Sequence, residues 1–301
     1  MKFPEHWQHL KSIGVGNFST QIIHRISNGN LHIWSSRRFR KRHSSEIRSS
    51  EIGYPEAKKK PLKYWAWKLE SLTWWIGFIF TFGSILFVVG AIPMMFPNPP
   101  VARISIINFL GSVCFTCGSY AAFLEVINLN LDVTLDWDAA IIKEKIGTVN
   151  HPVGKIIKIK WFDWQPHRLE YNSTLIQFVG ACLFNINCFF AMFSSLNWQT
   201  DDMLIWFPST LASIHFCIAS YLAVLEVCHS YWAWNLKEIE LWVVVLNLFG
   251  SIGFLSGSFF GFFGQGAIIC CQEWGTNFSF LWGSILFLGG SYLMIPEMLQ
   301  E

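Results

Sequence analysis

Three stretches of the sequence share one pattern, and this pattern decides the fold. They read GSVCFTCGSYAAFLEV at 111–126, ASIHFCIASYLAVLEV at 212–227 and GSILFLGGSYLMIPEM at 283–298. Each opens on a small residue followed by Ser, repeats that pair seven residues later just before a Tyr, and has a Glu five residues after the Tyr. Seven residues turn an α-helix by about 700°, so the small residues fall on one stripe. Such a stripe predicts a closely packed helix–helix seam in a membrane.

The apolar segment before each stretch repeats as well. It carries the small pairs Gly83-Ser84, Gly180-Ala181 and Gly250-Ser251, and nineteen residues before each pair begins an aromatic cluster: YWAW at 64–67, WFDW at 161–164 and YWAW at 231–234. This recurrence predicts three tandem two-helix hairpins, 64–128, 161–230 and 231–301. Because each copy has two spans, all copies share one orientation, and an axis along the membrane normal relates them. We therefore expect a pseudo-threefold arrangement.

The composition indicates that lipid is the solvent of most of the chain. Of its 301 residues, 52% are hydrophobic and only 14% are charged, whereas soluble domains carry about 25% charged residues. Six apolar segments reach the length of about 20 residues that spans a bilayer as a helix: 72–96, 104–127, 173–196, 203–228, 241–264 and 276–298. The sequence predicts an all-α bundle of six transmembrane helices in a lipid bilayer.

The cations are distributed unevenly, and this predicts the orientation. Residues 1–63 hold 13 of the 22 Lys and Arg residues, including SSRRFRKR at 35–42, and Arg103 alone lies at the opposite side of the predicted spans. The positive-inside rule places both termini and the connection 129–160 in the cytoplasm. We expect the basic segment 1–63 to be poorly ordered and to attract anionic lipid. No DNA- or RNA-binding motif accompanies it, so a nucleic-acid partner is not expected.

Three glutamates, one per hairpin, are the first candidate site. Glu125, Glu226 and Glu297 continue the seam into the last turn of their helices, at the predicted cytoplasmic end. One hypothesis is an acidic ring at the inner mouth that binds a cation or a proton. The other is a set of interfacial carboxylates, each bonded to Ser, Tyr or Trp of a neighbouring hairpin or simply hydrated. The tyrosines before them join the candidate binding residues: Tyr120, Tyr221 and Tyr292.

The second hairpin departs from the pattern with polar residues. His215 stands where the other copies have Cys and Leu, and Asn185 and Asn187 stand where they have apolar residues or Gly. Such a departure favours either a small-ligand site or interhelical hydrogen bonds, which contribute on average about 0.6 kcal/mol in membranes. One His does not supply the paired ligands of a membrane cytochrome. We therefore predict no cofactor and no metal.

Much of the chain resembles a family. The segments that carry the resemblance are SSRRFRKR, LTWWIGFIFTFGSILFVVGA at 72–91, FLGSVCFTCGSYAAFLEVIN at 109–128, WFDWQPHRLEYNSTLIQFVGACLFNIN at 161–187 and WGTNFSFLWGSILFLGGSYLMIPE at 274–297. Over roughly 35–298 the chain is similar to uncharacterised bacterial multi-pass membrane proteins related to the YrhK-like family. The resemblance implies a bacterial inner membrane and brings no established activity.

Sequence motifs of common enzymes do not occur in the chain. It lacks G-x-x-x-x-G-K-[ST], H-E-x-x-H and G-x-S-x-G, and no Lys lies in the middle of a predicted span, so we assign no catalytic residue. The leading hypothesis is a transport-type or small-ligand-binding protein with its site between repeats. The alternative is a non-catalytic scaffold or sensor that acts through the basic segment and anionic lipid, and a membrane enzyme ranks third. A wet cavity that reaches toward the middle of the membrane favours the first hypothesis, and a solid seam favours the second.

Overall fold

The computed structural model describes residues 7–26, 29–41, 46–48, 63–129, 159–193, 198–233, 238–263 and 269–300. Most of the predicted connection 129–160 lies outside these residues. The described residues form a small β-sheet near the amino terminus and a bundle of long helices.

The sheet is an antiparallel meander in the order β1-β2-β3-β4. Its strands are β1 (Gln8–Val15), β2 (Phe18–Arg25), β3 (Leu31–Ser35) and β4 (Glu46–Arg48), and the short helix α1 (Ser36–Arg40) follows β3 directly. Alternation in β2 buries Thr20, Ile22 and His24 on one face, as expected for a half-buried strand. One expectation is therefore wrong: the protein is mostly helical but not all-α, because described residues within 1–63 form this sheet and α1.

The bundle consists of six long helices. They are α2 (Leu72–Ala91), α3 (Val101–Ile127), α4 (Leu169–Phe190), α6 (Phe207–Cys228), α7 (Ile239–Phe263) and α8 (Ile269–Leu299); the short helix α5 (Trp198–Asp201) and a π-helical turn, Asp202–Trp206, lead into α6. Each of the six long helices belongs to a stretch long and apolar enough to cross a membrane. The prediction of six spans agrees with this finding, and the chain is a multi-pass membrane protein.

The six helices close into a ring. Along the chain each long helix packs against the next, and α8 packs back against α2. Small residues allow this close approach within the hairpins: a Cβ at Gly83 would lie 3.2 Å from the Gly111 carbonyl oxygen, and one at Gly250 would lie 3.1 Å from that of Gly283. The predicted stripe of small residues therefore lies at helix–helix contacts.

Phenylalanine rings form the core at the centre of the ring. Phe87, Phe184 and Phe254 form a triangle whose centroids lie 5.6, 5.6 and 5.9 Å apart. Their hairpin partners pack against them and belong to the same buried cluster: Phe115, Phe216 and Phe287. Edge-to-face and tilted contacts of this kind stabilise a core beyond the area they bury.

The sheet lies at one end of the bundle, which we call the plug end. It is the end at which α3, α6 and α8 finish and at which α2, α4 and α7 begin. Val15 of β1 packs against Leu169 and Leu225 there, and Thr20 of β2 is bonded to His229, 2.9 Å between Oγ1 and Nδ1. We refer to the described residues from 7 to 48 as the N-terminal domain.

Candidate functional site

Three cations lie on one face of helix α1 and its C-cap: Arg37 and Arg40 in the helix, and Lys41 at the C-cap. Arg40 and Lys41 follow Arg37 by three and four residues, a spacing that aligns side chains along a helix. The opposite side of α1 is held by an apolar cluster of the N-terminal domain, where Phe39 packs on Trp34 with centroids 5.9 Å apart. The sheet therefore fixes α1 so that all three cations point into the plug end, where each is at least nine-tenths buried.

Each of these cations pairs with a glutamate of a different long helix. Arg37 donates two hydrogen bonds to Glu297, from Nε to Oε1 at 2.6 Å and from Nη2 to Oε2 at 3.0 Å. Arg40 donates from Nη2 to Oε2 of Glu226 at 2.9 Å. Lys41 donates from Nζ to Oε2 of Glu125 at 3.4 Å.

Hydroxyl groups also donate hydrogen bonds to two of these carboxylates. The Ser36 hydroxyl donates to Oε1 of Glu226 at 2.9 Å, and the Thr73 hydroxyl donates to Oε1 of Glu125. Glu226 and Glu297 are only 1% exposed. Buried carboxylates need such partners because an unpaired buried charge is very costly.

The three pairs differ in strength. Burial disfavours the Arg37 cation, but the charge and hydrogen bonds of Glu297 outweigh burial and raise the pKa of Arg37 above its ordinary value. For Lys41 burial prevails: it lowers the pKa, and Glu125 offsets only part of this effect. A bidentate Arg–carboxylate pair is stronger than a single long Lys contact. Arg37–Glu297 is therefore the firmest contact of α1, and Lys41–Glu125 is the weakest.

A fourth cation of α1 lies outside this cluster. Arg38 is partly exposed and donates to Glu238 and Glu240, both at 3.0 Å. These acids stand just before and at the start of α7. Arg38 thus joins the N-terminal domain to the rim of the bundle rather than to its centre.

A cavity of about 70 Å³ lies beside the three buried cations. Arg37, Arg40 and Lys41 border it on the side of α1, together with Glu125. The rest of its wall is mixed. Its polar residues are Ser173, Thr174, Gln177, Ser220, Asn247 and Ser291, and its apolar residues are Phe80, Phe115, Ala122, Ala219, Ala223, Val243, Val244, Phe287 and Met294. A cavity holds a water molecule from about 10–15 Å³, so this one has room for several waters or one small ligand.

The candidate tyrosines do not line this cavity. The Tyr120 hydroxyl donates to the Trp161 carbonyl at 3.1 Å, and the Tyr292 hydroxyl donates to the Tyr64 carbonyl at 3.3 Å. Tyr221 is 39% exposed. Tyr120 and Tyr292 thus bind the aromatic segments that precede α4 and α2.

The polar residues of the second hairpin also lie apart from the cavity. Asn185 donates to the Thr116 hydroxyl at 2.6 Å, which is an interhelical hydrogen bond. His215 is bonded to the Leu211 carbonyl of its own helix, with 2.8 Å between Nδ1 and O. Asn187 is buried and does not border the cavity either. The structure brings together the three glutamates of the candidate set and not these residues.

Arg37, Arg40 and Lys41 are the site residues that the sequence analysis missed. Their motif was interpreted as a positive-inside signal and a lipid-binding segment. Their spacing on one helical face, directly after a strand, was the available signal. Within the residues that the structure describes, no group of His, Cys, Asp and Glu is arranged to hold a metal ion.

Comparisons of the chain with protein-family models, with curated proteins and with solved structures find no match. The site is therefore interpreted from its own geometry.

Proposed function

We propose that this protein binds a small polar ligand in the cavity at the plug end and that α1 covers this cavity as an intramolecular plug. The observation that carries the proposal is a set of three ion pairs. Three cations within the segment 37–41 each pair with the glutamate of a different predicted hairpin. In the transport-type form of this proposal, the ligand reaches the cavity when α1 withdraws. The three glutamates are then the residues to which α1 binds when it covers the cavity.

The burial of these ion pairs supports the proposal that α1 docks over the cavity in one specific position. Pairs at the protein surface contribute little to stability, whereas removing one partner of a buried pair costs about 3–5 kcal/mol. Three such pairs on five consecutive residues make the docking of α1 dependent on all three glutamates. A plug of this kind is released as a unit.

We also propose that the bundle is a triplicated hairpin with pseudo-threefold symmetry. The near-equilateral triangle of Phe87, Phe184 and Phe254 supports it, because these residues occupy one position of the repeat. The three glutamates support it too, because they also occupy one position of the repeat and pair with cations of one short segment. On the positive-inside rule we place the plug end and both termini in the cytoplasm, and the resemblance to YrhK-like proteins favours a bacterial inner membrane.

Thiol accessibility tests the plug. A cysteine at Ala223, which borders the cavity, is introduced into a cysteine-free background and reacted with a small charged thiol reagent in detergent. We expect slow labelling in the parent and labelling faster by at least about tenfold in the double variant Arg37→Gln/Arg40→Gln, because two buried glutamates lose their partners. Arg38→Gln is the matched control, since Arg38 pairs with glutamates outside the cavity, and it should label slowly.

Equal labelling rates in all three proteins would show that α1 does not cover the cavity. Labelling from the outer side would contradict the proposed orientation. An impermeant reagent added to sealed cells should modify a cysteine at Met203, which is exposed at the far end of the bundle, and should not modify one at Lys11.

The second candidate function is a non-catalytic scaffold or sensor. The phenylalanine core favours it, because six buried rings fill the centre of the bundle and a rigid seam suits a scaffold. In this case anionic lipid meets cations other than Arg37, Arg38, Arg40 and Lys41, such as the exposed Lys11 and Lys63. A protein that never labels at Ala223→Cys, with or without the α1 pairs, would favour the scaffold.

A further inference from the structure

We infer that the covered cavity is a site for a small monovalent anion of about the size of bromide or formate. The inference rests on the proposed function, because it concerns the ligand of the same cavity. It is argued from the hydrogen-bond donors, the balance of charge along the wall and the size of the space.

Arg40 and Lys41, which both border the cavity, have spare hydrogen-bond donors. The Nε–H of Arg40 is buried and has no hydrogen-bond partner among the described residues, and Arg40 as a whole is only 7% exposed. Lys41 has three N–H donors and makes one contact of 3.4 Å, to Glu125. Buried donors without acceptors cost free energy, so a ligand that accepts hydrogen bonds at this point is favoured.

The charged residues that border the cavity carry more positive than negative charge. Three cations border the cavity, and Glu125 is the one carboxylate among its described lining residues; Glu226 and Glu297, the partners of Arg40 and Arg37, do not border it. An anion beside Lys41 and Arg40 accepts hydrogen bonds from their spare donors and is attracted by both cations.

Size and polarity restrict the anion further. A space of about 70 Å³ bordered by phenylalanine rings accommodates one small ion with a few waters and excludes nucleotides and lipid headgroups. Several wall hydroxyls already donate to backbone carbonyls, Ser173 to Ala219 at 2.9 Å and Thr174 to Glu170 at 2.9 Å. The donors left for a ligand are therefore mainly those of Arg40 and Lys41, together with the amides of Gln177 and Asn247; the buried Oδ1 of Asn247 is an acceptor without a partner among the described residues, which a water beside the anion can satisfy.

Calorimetric titration of the full-length protein in detergent tests the inference. Sodium bromide and sodium formate are titrated at constant ionic strength against sodium gluconate, whose anion is too large for the cavity. We expect saturable binding of bromide and formate. In the double variant Lys41→Met/Glu125→Gln the affinity should fall by at least about tenfold, because a charged donor is lost.

This double variant removes one positive and one negative charge together, so neither partner is left unpaired. Gln at position 125 keeps an acceptor for Thr73, and the pairs of Arg37 and Arg40 remain to hold α1. Slow labelling of Ala223→Cys in the same background verifies that the plug is still docked. Arg38→Gln is the control for the general loss of a cation, and it should bind bromide as the parent does.

Two results overturn the inference and leave the proposed function standing. One is the absence of saturable anion binding in a parent whose plug is docked. The other is saturable binding of sodium or potassium with no effect of the anion. Rapid labelling of Ala223→Cys in the parent is a different result, because it removes the plug and with it the proposed function.

Discussion

Arg37 and Glu297 lie 260 residues apart in the chain and form a buried bidentate pair, with 2.6 Å between Nε and Oε1 and 3.0 Å between Nη2 and Oε2. The side chains are 5% and 1% exposed. This pair joins the helix α1 of the N-terminal domain to the last turns of α8. Through it, the first described part of the chain is tied to the last.

We expect Arg37→Gln to weaken the docking of the N-terminal domain far more than Lys41→Gln. The first change leaves the buried Glu297 without a cation, for which the expected cost is about 3–5 kcal/mol. The second removes one long contact from a lysine whose charge is already disfavoured by burial. Limited proteolysis between the N-terminal domain and α2, followed over time in detergent, measures the docking.

The double variant Arg37→Gln/Glu297→Gln is the control. It removes both charges and retains hydrogen-bonding groups of similar size, so it should recover most of the docking lost in Arg37→Gln. Equal proteolysis of Arg37→Gln and Lys41→Gln would contradict the order of strength derived from the geometry.

The bundle was predictable from the sequence because its signals are local. Apolar length and a seven-residue stripe of small residues both follow from one helix at a time, and the observed α2 begins at Leu72 as predicted. The small sheet was not predictable in this way. Its edge strand β1 is largely exposed and polar, so it lacks the alternation that marks a half-buried strand.

Of the site, the glutamates were predictable from the sequence and their cationic partners were not. The three glutamates follow from the recurring sequence pattern, which places each of them in the last turn of its helix. Their partners do not follow, because Arg37 contacts Glu297 across 260 residues and Lys41 contacts Glu125 across 84. The local sequence of a run of cations does not show whether these cations pair with buried carboxylates or bind lipid. The sheet, which fixes α1 at the plug end, supplies that information.

Gly283→Ala should destabilise the bundle although it adds a single methyl group. A Cβ at this position would lie 2.9 Å from the Gly250 carbonyl oxygen and 3.1 Å from the Phe254 amide nitrogen, both of which are backbone atoms that do not yield easily. Overpacking of this kind costs about 1–3 kcal/mol. Thermal unfolding in detergent, followed by circular dichroism, measures the loss.

Gly289→Ala is the matched control on the same helix. Its Cβ would meet only the Leu246 Cδ1, at the ordinary contact distance of 3.5 Å. We expect its unfolding midpoint to equal or exceed that of the parent, since Ala favours helix over Gly. Equal losses for the two variants would argue that close approach of α7 and α8 does not limit stability.

Ala181→Ser should stabilise the bundle by restoring a missing serine pair. Between neighbouring helices Ser84 pairs with Ser291 at 3.4 Å, and Ser251 pairs with Ser220 at 3.0 Å. The third position of this proposed repeat has Ala181 in place of a serine, and the buried Ser119 hydroxyl has no partner among the described residues. A new hydrogen bond there contributes about 0.5–1.5 kcal/mol.

A double-variant cycle separates this gain from a general effect of serine at position 181. In the Ser119→Ala background, Ala181→Ser should give no gain, because no partner remains. Ser119→Ala alone should be nearly neutral, whereas Ser84→Ala should destabilise. A gain from Ala181→Ser that persists without Ser119 would contradict the pairing, and so would a loss in both backgrounds.

Docking of the N-terminal domain should weaken as the pH falls, and His229 is one cause. Burial, followed by the charge of Arg38, lowers the pKa of His229 from 6.5 to about 4, with Glu238 opposing the shift. His229 is bonded to Thr20 of the sheet, so it stays neutral while the domain is docked and binds a proton more readily after release. The released state therefore binds more protons between about pH 6.5 and 4. The docked state loses up to about 1.4 kcal/mol per pH unit in this window.

His229→Asn is suited to test this contribution because His229 has a positive φ of 53°, a conformation that Asn tolerates well. The variant keeps a polar side chain near Thr20 and removes the titrating ring. Its docking, measured by the labelling of Ala223→Cys from pH 7.5 to 4.5, should depend less steeply on pH than that of the parent. The carboxylates of the plug contribute equally to both curves, so the difference between the curves isolates His229. Parallel curves would show that His229 takes no part in the pH response, and a steeper curve for the variant would reverse its proposed sign.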